Sequence, residues 1–149
     1  MPVCFGVSFT KTPMNQARAL VHIYQDGSIG ISTGAIEMGQ GVNTKLAQVA
    51  AKIFSIDIKR IKIESTNTSR VANTSPTAAS SGADLNGNAV LIACSELLKR
   101  LKSSAAKMLN CSVDKIKLQD EFVFKNGQRT DITWEKLIQT TLRTLQFRN

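Results

Sequence analysis

A glycine-rich stretch contains residue types that suit contact with an anionic ligand. It comprises residues 34–41, Gly34-Ala35-Ile36-Glu37-Met38-Gly39-Gln40-Gly41, between an alternating apolar run and a helical pattern. Glycines let a ligand approach main-chain amides, and a helix that follows presents N–H groups and the positive end of its dipole. The stretch matches neither a Walker loop nor the spaced glycines of a dinucleotide loop. Its spacing alone therefore favours an ordinary strand-to-helix turn.

A second stretch is similar, because it consists of small and polar residues and leads into a helical pattern. It comprises residues 73–84, Asn73-Thr74-Ser75-Pro76-Thr77-Ala78-Ala79-Ser80-Ser81-Gly82-Ala83-Asp84. Ser81 and Asp84 have the spacing of a capping box, which predicts that a helix begins here. Two such loops, each opening a helix, could converge on one anionic ligand. The alternative, two ordinary helix caps, is slightly favoured by the residues alone.

Side chains that could support self-contained catalysis are few. His22 is the single histidine and lies in an alternating strand, which favours a core or sheet-face role over a catalytic triad. Glu37 could act as an acid or base, but a carboxylate in a glycine loop more often stabilises the turn or the helix N-terminus. The sequence contains no metal-ligand cluster, so any metal would have to be held by another molecule.

Composition indicates one globular domain spanning residues 1–149, with 42% hydrophobic and 20% charged residues. The three cysteines lie far apart, at Cys4, Cys94 and Cys111, which argues against a disulfide framework and for small hydrophobes in a reducing compartment. We expect a cytoplasmic protein with no membrane span. The net charge of +8 permits a noncatalytic basic module for nucleic acid or acidic partners. Nucleic acid is disfavoured because few aromatic residues accompany the basic ones.

The elements that must position the two stretches can be predicted from periodicity. Residues 17–24 and 28–33 alternate around Asp26-Gly27, which predicts a hairpin whose return strand leads into the first stretch. Residues 42–54 have helical spacing, with Leu46, Val49, Ala50 and Ile53 on one face. A short strand at 61–63 and a polar loop at 65–75 then lead to the second stretch.

The remaining chain alternates between helical and strand patterns. A long core helix is predicted over 83–109, with Ile92 among its core positions and a bend near Ser103-Ser104. Short strands are predicted at 3–10, 113–118 and 122–124, and Thr133 is a plausible cap for a last helix. Together these elements predict an α+β fold, in which two or three helices pack on a mixed or antiparallel sheet.

Several ordered motifs resemble the molybdenum-cofactor subunit of the xanthine dehydrogenase and aldehyde oxidase family. The resemblance covers nearly the whole chain, and it implies the C-terminal part of a molybdopterin-binding region. It is carried by residues 37–45 (Glu-Met-Gly-Gln-Gly-Val-Asn-Thr-Lys), residues 73–80 (Asn-Thr-Ser-Pro-Thr-Ala-Ala-Ser), residues 83–87 (Ala-Asp-Leu-Asn-Gly), residues 5–9, the hairpin turn and Trp134-Glu135.

The resemblance also implies which residues bind the molybdenum–molybdopterin cofactor. Ala79 is the candidate for a backbone contact near the metal. Such a cofactor holds molybdenum through its own dithiolene, so the protein supplies amides, small residues and orientation. The residues implied are Met38, Gly39, Gln40 and Gly41 of the first stretch and Thr77, Ala78, Ala79 and Ser80 of the second.

The chain departs from the family pattern in two features. The family's catalytic glutamate, in a Gly-Glu-Pro context, has no counterpart here, and Glu37 does not fill that position. Gly82 stands where family members often have serine. We therefore expect a partial domain, inactive alone, without a catalytic residue of its own. Its partners would be the remainder of the molybdenum subunit, iron–sulfur and flavin modules, and a purine or aldehyde substrate.

Overall fold

The computed structural model describes residues 8–64, 66–71, 74–78 and 80–146. Three helices pack with two small sheets, which confirms the predicted α+β class. The helices are α1 (Val42–Phe54), α2 (Gly82–Met108) and α3 (Trp134–Gln146). The strands are β1 (Ala19–Ile23), β2 (Ile29–Thr33), β3 (Ile61–Ile63), β4 (Ile116–Gln119), β5 (Phe122–Lys125) and β6 (Gln128–Thr133).

The predicted hairpin is confirmed and forms the first sheet. Strands β1 and β2 pair antiparallel around Gly27, whose φ of +82° is readily available to glycine. Strand β3 then pairs parallel to β2, so the sheet is mixed and β2 lies at its buried centre. The end of β2 therefore delivers the glycine-rich stretch from a fixed position in the core.

Helices α1 and α2 pack against each other and supply much of the core. Helix α1 has the predicted bounds, and it buries Leu46, Ala50 and Phe54. Helix α2 is continuous through Ser103-Ser104, where the sequence predicted a bend or a break, so no break occurs. Because α2 buries Val90, Cys94 and Leu101, the position of Ile92, about 200° round the helix from Val90, faces outward. The prediction of Ile92 as a core residue was wrong, since 62% of it is exposed.

The second sheet, β4–β5–β6, is antiparallel and extends the predicted strand pair by one strand. Asn126-Gly127 forms the turn between β5 and β6, and both residues adopt positive φ. Strand β6 was missed because Ile132 is its only strongly apolar residue. Residues 113–115 form a 3₁₀ turn in place of the predicted start of β4. Of the strand predicted at 3–10, residues 8–10 form no strand and the rest lie outside the described residues.

Helix α3 closes the fold through Trp134, whose indole is 1% exposed. Its Nε1 donates to the carbonyl of Gly27, 107 residues earlier, at 2.7 Å. The ring lies 5.4 Å from that of Phe54. Thr133 caps the helix as predicted, since its hydroxyl accepts from the amide of Lys136 at 3.3 Å. Within the described residues, no helix is long and apolar enough to cross a lipid bilayer.

Burial also explains the chemistry of Cys94. The side chain lies in the core on α2, and desolvation raises the pKa of its thiol to about 12. A thiol that stays protonated at neutral pH is a poor nucleophile. Cys94 therefore packs as a small hydrophobe, as the sequence predicted.

One ion network joins the first sheet to the second sheet and α3. The guanidinium of Arg60 forms two bonds with Glu121, Nε to Oε1 at 2.7 Å and Nη2 to Oε2 at 2.8 Å, and it also contacts Glu135. Glu121 accepts in addition from the amide of Asp57 at 3.0 Å. The hydrogen bond from Arg60 lowers the pKa of Glu121, and the helix backbone and Arg60 lower the pKa of Glu135.

Replacing Arg60 with methionine is expected to cost about 1 kcal/mol of unfolding free energy at neutral pH, since the network is about one-quarter to one-third exposed. Both carboxyl pKa values are lowered on folding from an ordinary 4.5, so their stabilisation is complete above that pH and is lost as pH falls below it. The difference between wild type and Arg60→Met should therefore shrink in acid. Urea unfolding at pH values from 7 to below 4.5 measures it. A difference that is constant with pH would contradict this account.

Candidate functional site

The two sequence stretches meet at the end of β2. The amide of Ile36 donates to Oγ1 of Thr77 at 2.9 Å, across 41 residues of sequence. Beside this bond, Thr74 packs directly on Gly34, and a Cβ added to Gly34 would lie 2.3 Å from Oγ1 of Thr74. The loops thus pack closely only because position 34 carries no side chain.

A cavity of about 340 Å³ lies between the two stretches. It is lined by Met38, Gln40, Val42, Lys45, Thr77, Ala78, Ser80, Gly82 and Ala83. Five of the eight predicted cofactor-binding residues are among them. Gly39 and Gly41 lie in the same loop as Met38 and Gln40 but do not line the cavity, and Ala79 lies outside the described residues.

Glu37 stabilises the first loop by accepting hydrogen bonds from backbone amides. Its Oε1 accepts from the amides of Gly39 and Gly41, each at 2.9 Å, and its Oε2 accepts from the amide of Asn43 at 3.0 Å. The bonds from Asn43 and Gly41, followed by the bond from Gly39, lower the pKa of the Glu37 carboxyl. Gly39 and Gly41 adopt φ of +95° and +75°, which glycine permits without strain. The structural role favoured for Glu37 in the sequence is confirmed.

The bonds to Glu37 limit how this loop could bind an anion. The amides of Gly39, Gly41 and Asn43 already bind the Glu37 carboxylate, in agreement with the ordinary strand-to-helix turn that the spacing favoured. The side chain of Gln40 also bonds within the loop, to the amide of Met38 at 2.6 Å and to the carbonyl of Ile36 at 2.8 Å. The Glu37 carboxylate thus accepts the hydrogen bond of the Asn43 amide at the start of α1. An anion in the cavity must therefore bind other groups.

Lys45 is a cationic residue at the cavity that was not predicted from the sequence as a site residue. It lies in the first turns of α1 and lines the cavity, and it forms no ion pair within the described part of the chain. A lysine near a helix N-terminus opposes the helix dipole, so this position is unfavourable for stability alone. That mismatch is the sequence signal that could have identified Lys45 as a ligand-binding residue.

The start of α2 forms the opposite wall. The predicted capping box does not form, because Ser81 has helical dihedral angles and its hydroxyl donates to the carbonyl of Ala78 at 2.6 Å. Gly82 and Ala83, the first residues of α2, line the cavity. The positive end of the α2 dipole therefore lies at the cavity wall without a capping side chain from Ser81.

A comparison with protein families assigns the chain to one of them. The molybdopterin cofactor-binding domain family matches residues 1–147. The chain belongs to this family. Its cofactor is the molybdenum–molybdopterin group, as the sequence resemblance implied.

Relatives of this molybdopterin cofactor-binding domain include much longer proteins. Xanthine dehydrogenase of Dictyostelium discoideum is 49% identical over 110 residues, which is 74% of this chain. Xanthine dehydrogenase/oxidase of Mus musculus is 52% identical over 102 residues, or 68% of this chain. The chain spans 8% of the length of each of these relatives.

Solved structures share the fold of the domain. Quinoline 2-oxidoreductase from Pseudomonas putida 86 superposes with a TM-score of 0.76 and 23% identity, over 89% of this chain and 17% of that chain. Reconstituted CO dehydrogenase from Oligotropha carboxidovorans gives a TM-score of 0.74 at 24% identity, over 82% of this chain and 15% of that chain. At these identities the likeness establishes the fold.

The residues around the cavity suit the cofactor chemically. Ala78, Ser80, Gly82 and Ala83 are small enough to admit a flat heterocycle close to the backbone. Lys45 supplies a cation for a phosphate arm. Among the described residues no group of three or more His, Cys, Asp or Glu side chains could hold a metal ion. The cavity residues therefore suit a cofactor that carries molybdenum on its own sulfur atoms.

Proposed function

We propose that this domain holds the cofactor of a molybdenum hydroxylase that acts on a purine or an aldehyde, with water as the oxygen source. The observation that carries the proposal is the cavity shared by two loops distant in sequence, in a chain of this family. When bound, the cofactor supplies the molybdenum centre at which the substrate is oxidised. The xanthine dehydrogenase names of the relatives support the purine substrate.

In this proposal each wall of the cavity has its own task. Lys45 and the start of α2 bind the anionic arm of the cofactor, and the hydroxyls of Thr77 and Ser80 bind its polar edge. Ala79 brings main chain close to the metal. Met38, Gln40 and Ala78 hold the pterin, and Gly39 and Gly41 shape the loop that carries Met38 and Gln40.

In this proposal the described residues that line the cavity supply orientation and no proton-transfer group. Glu37 and Asp84 adjoin cavity residues in sequence, but neither lines the cavity; both oxygens of Glu37 accept backbone hydrogen bonds, and its pKa is lowered. A carboxylate held in this way is a weak base. We therefore propose that catalysis also needs the remainder of the molybdenum subunit, together with iron–sulfur and flavin modules, in the cytoplasm.

Activity of the purified chain tests the claim that its site is incomplete. Incubated with hypoxanthine or an aldehyde and an artificial electron acceptor, the chain should show no turnover. Robust turnover would overturn the claim. The rival function, a noncatalytic basic module in place of a cofactor-binding one, finds no support in the comparisons.

Charge reversal at Lys45 tests the cofactor site itself. In the longer polypeptide that carries this domain, Lys45→Glu is expected to lower molybdenum and pterin content about ten-fold, because a carboxylate would repel the phosphate arm. Molybdenum is measured by mass spectrometry and the pterin by fluorescence after oxidation. Lys52→Glu, on the same helix but away from the cavity, is the matched control. Equal cofactor content in both variants would exclude Lys45 from the site.

A further inference from the structure

A second groove, of about 460 Å³, lies between the C-terminal half of α2 and helix α3. Its basic wall begins at Lys99, 16 residues beyond Ala83 of the cofactor cavity, which corresponds to about 24 Å along α2. The groove is therefore separate from the cofactor cavity, and nothing argued for the cofactor accounts for its residues.

The rim of this groove is basic. Lys99, Arg100 and Lys107 line it, and no carboxylate does. Lys99 pairs with Glu96 at 2.6 Å. Within the described residues, Arg100 and Lys107 form no ion pair, and both are exposed. Although Arg100 also lies in the field of Glu96, the rim carries two positive charges that form no ion pair among the described residues.

The floor of the groove is preformed and mainly uncharged. The hydroxyl of Thr141 bonds to Oγ of Ser104 at 2.8 Å and to the carbonyl of Leu137 at 2.7 Å. Thr144 is likewise bonded to its own helix, at the carbonyl of Thr140. With the hydroxyls of Thr141 and Thr144 bonded within the fold, the apolar part of the floor consists of Met108 and threonine methyl groups, beside Ser103 and Thr140. An apolar floor inside a charged rim is the anatomy of a protein-docking site.

We propose that the groove between α2 and α3 docks an acidic segment of a partner polypeptide. Aspartate and glutamate of the segment pair with Arg100 and Lys107, and its apolar side chains lie on the floor by Met108. Nucleic acid fits less well, because no aromatic side chain lines the groove to stack on bases.

Fluorescence anisotropy of a labelled peptide of alternating glutamate and leucine tests this proposal on the purified chain. Saturable binding is expected, and Arg100→Glu/Lys107→Glu should weaken it about ten-fold or more. Lys59→Glu/Lys117→Glu makes the same change in net charge on exposed residues outside the groove and should leave the affinity nearly unchanged. If the charge-reversed chain does not fold by circular dichroism, Arg100→Gln/Lys107→Gln replaces it, with the same direction of effect.

Three results would overturn the proposal. The first is no saturable binding of the glutamate–leucine peptide. The second is equal weakening by the groove pair and the control pair, which would indicate attraction to overall charge. The third is tighter binding of an oligo-dT strand that depends on Arg100 and Lys107, which would assign the groove to nucleic acid. Because the peptide assay needs no cofactor, its outcome is independent of the proposed function.

Discussion

Replacing Trp134 with alanine is expected to lower the free energy of unfolding by about 3–5 kcal/mol. The indole is 1% exposed, packs against Phe54 and fills the space beside Gly27, where an added Cβ would approach it to 2.8 Å. Alanine would leave a cavity and an unpaired Gly27 carbonyl. Urea unfolding followed by circular dichroism measures the loss.

Two further variants separate the contributions of the ring and its N–H group. Trp134→Phe keeps much of the apolar volume but loses the bond to Gly27, which should cost about 1–3 kcal/mol. Val113→Ala, at a 43% exposed site, should change stability by about 0.5 kcal/mol or less. A Trp134→Ala loss no larger than that of Val113→Ala would show that α3 does not anchor the hairpin.

Replacing Gly34 with alanine is expected to separate the two loops of the cofactor cavity. The new Cβ would lie 2.3 Å from Oγ1 of Thr74 and 3.3 Å from its Cβ and Cγ2, so the second loop must move. Overpacking of this kind costs about 1–3 kcal/mol. We also expect loss of bound molybdenum in the longer polypeptide, because Thr77 follows three residues after Thr74 and lines the cavity.

A double variant distinguishes this clash from a general effect of alanine on the backbone. Thr74→Ala removes the nearest atom and one of the two carbons at 3.3 Å, so Gly34→Ala/Thr74→Ala should recover much of the stability and cofactor content. Thermal unfolding and molybdenum analysis of wild type, both single variants and the double variant complete the cycle. Strictly additive losses would mean that the two positions do not interact.

Much of the framework could be predicted because local signals agreed with the tertiary fold. Helix α1 has the predicted bounds, since its apolar face and the glycine before it indicate the same start. The hairpin was equally clear from Asp26-Gly27. Strand β6 was not predictable from periodicity, because its pairing with β5 follows from the Asn126-Gly127 turn and not from its own apolar residues.

Some features of the candidate site could likewise be predicted from the sequence, and others could not. The residue types alone slightly favoured two ordinary helix caps and the family resemblance favoured one shared site; Met38, Gln40, Thr77, Ala78 and Ser80 do line one cavity. The bonding of Glu37 to its own loop was predicted. The bond from Ser81 to Ala78, which leaves α2 without a capping side chain from Ser81, was not, because it depends on backbone dihedral angles that no spacing specifies.

The bond between Trp134 and Gly27 bears on how the domain is made. During synthesis, the hairpin emerges long before the residues that complete its burial, since 107 positions separate the two partners. The segment that leads into the cofactor loops thus pairs with β3 and contacts α2 early, but it lacks the packing of Trp134 beside Gly27 until α3 has been made. A nascent chain released before α3 would present both loops on an unfinished framework and should bind no cofactor.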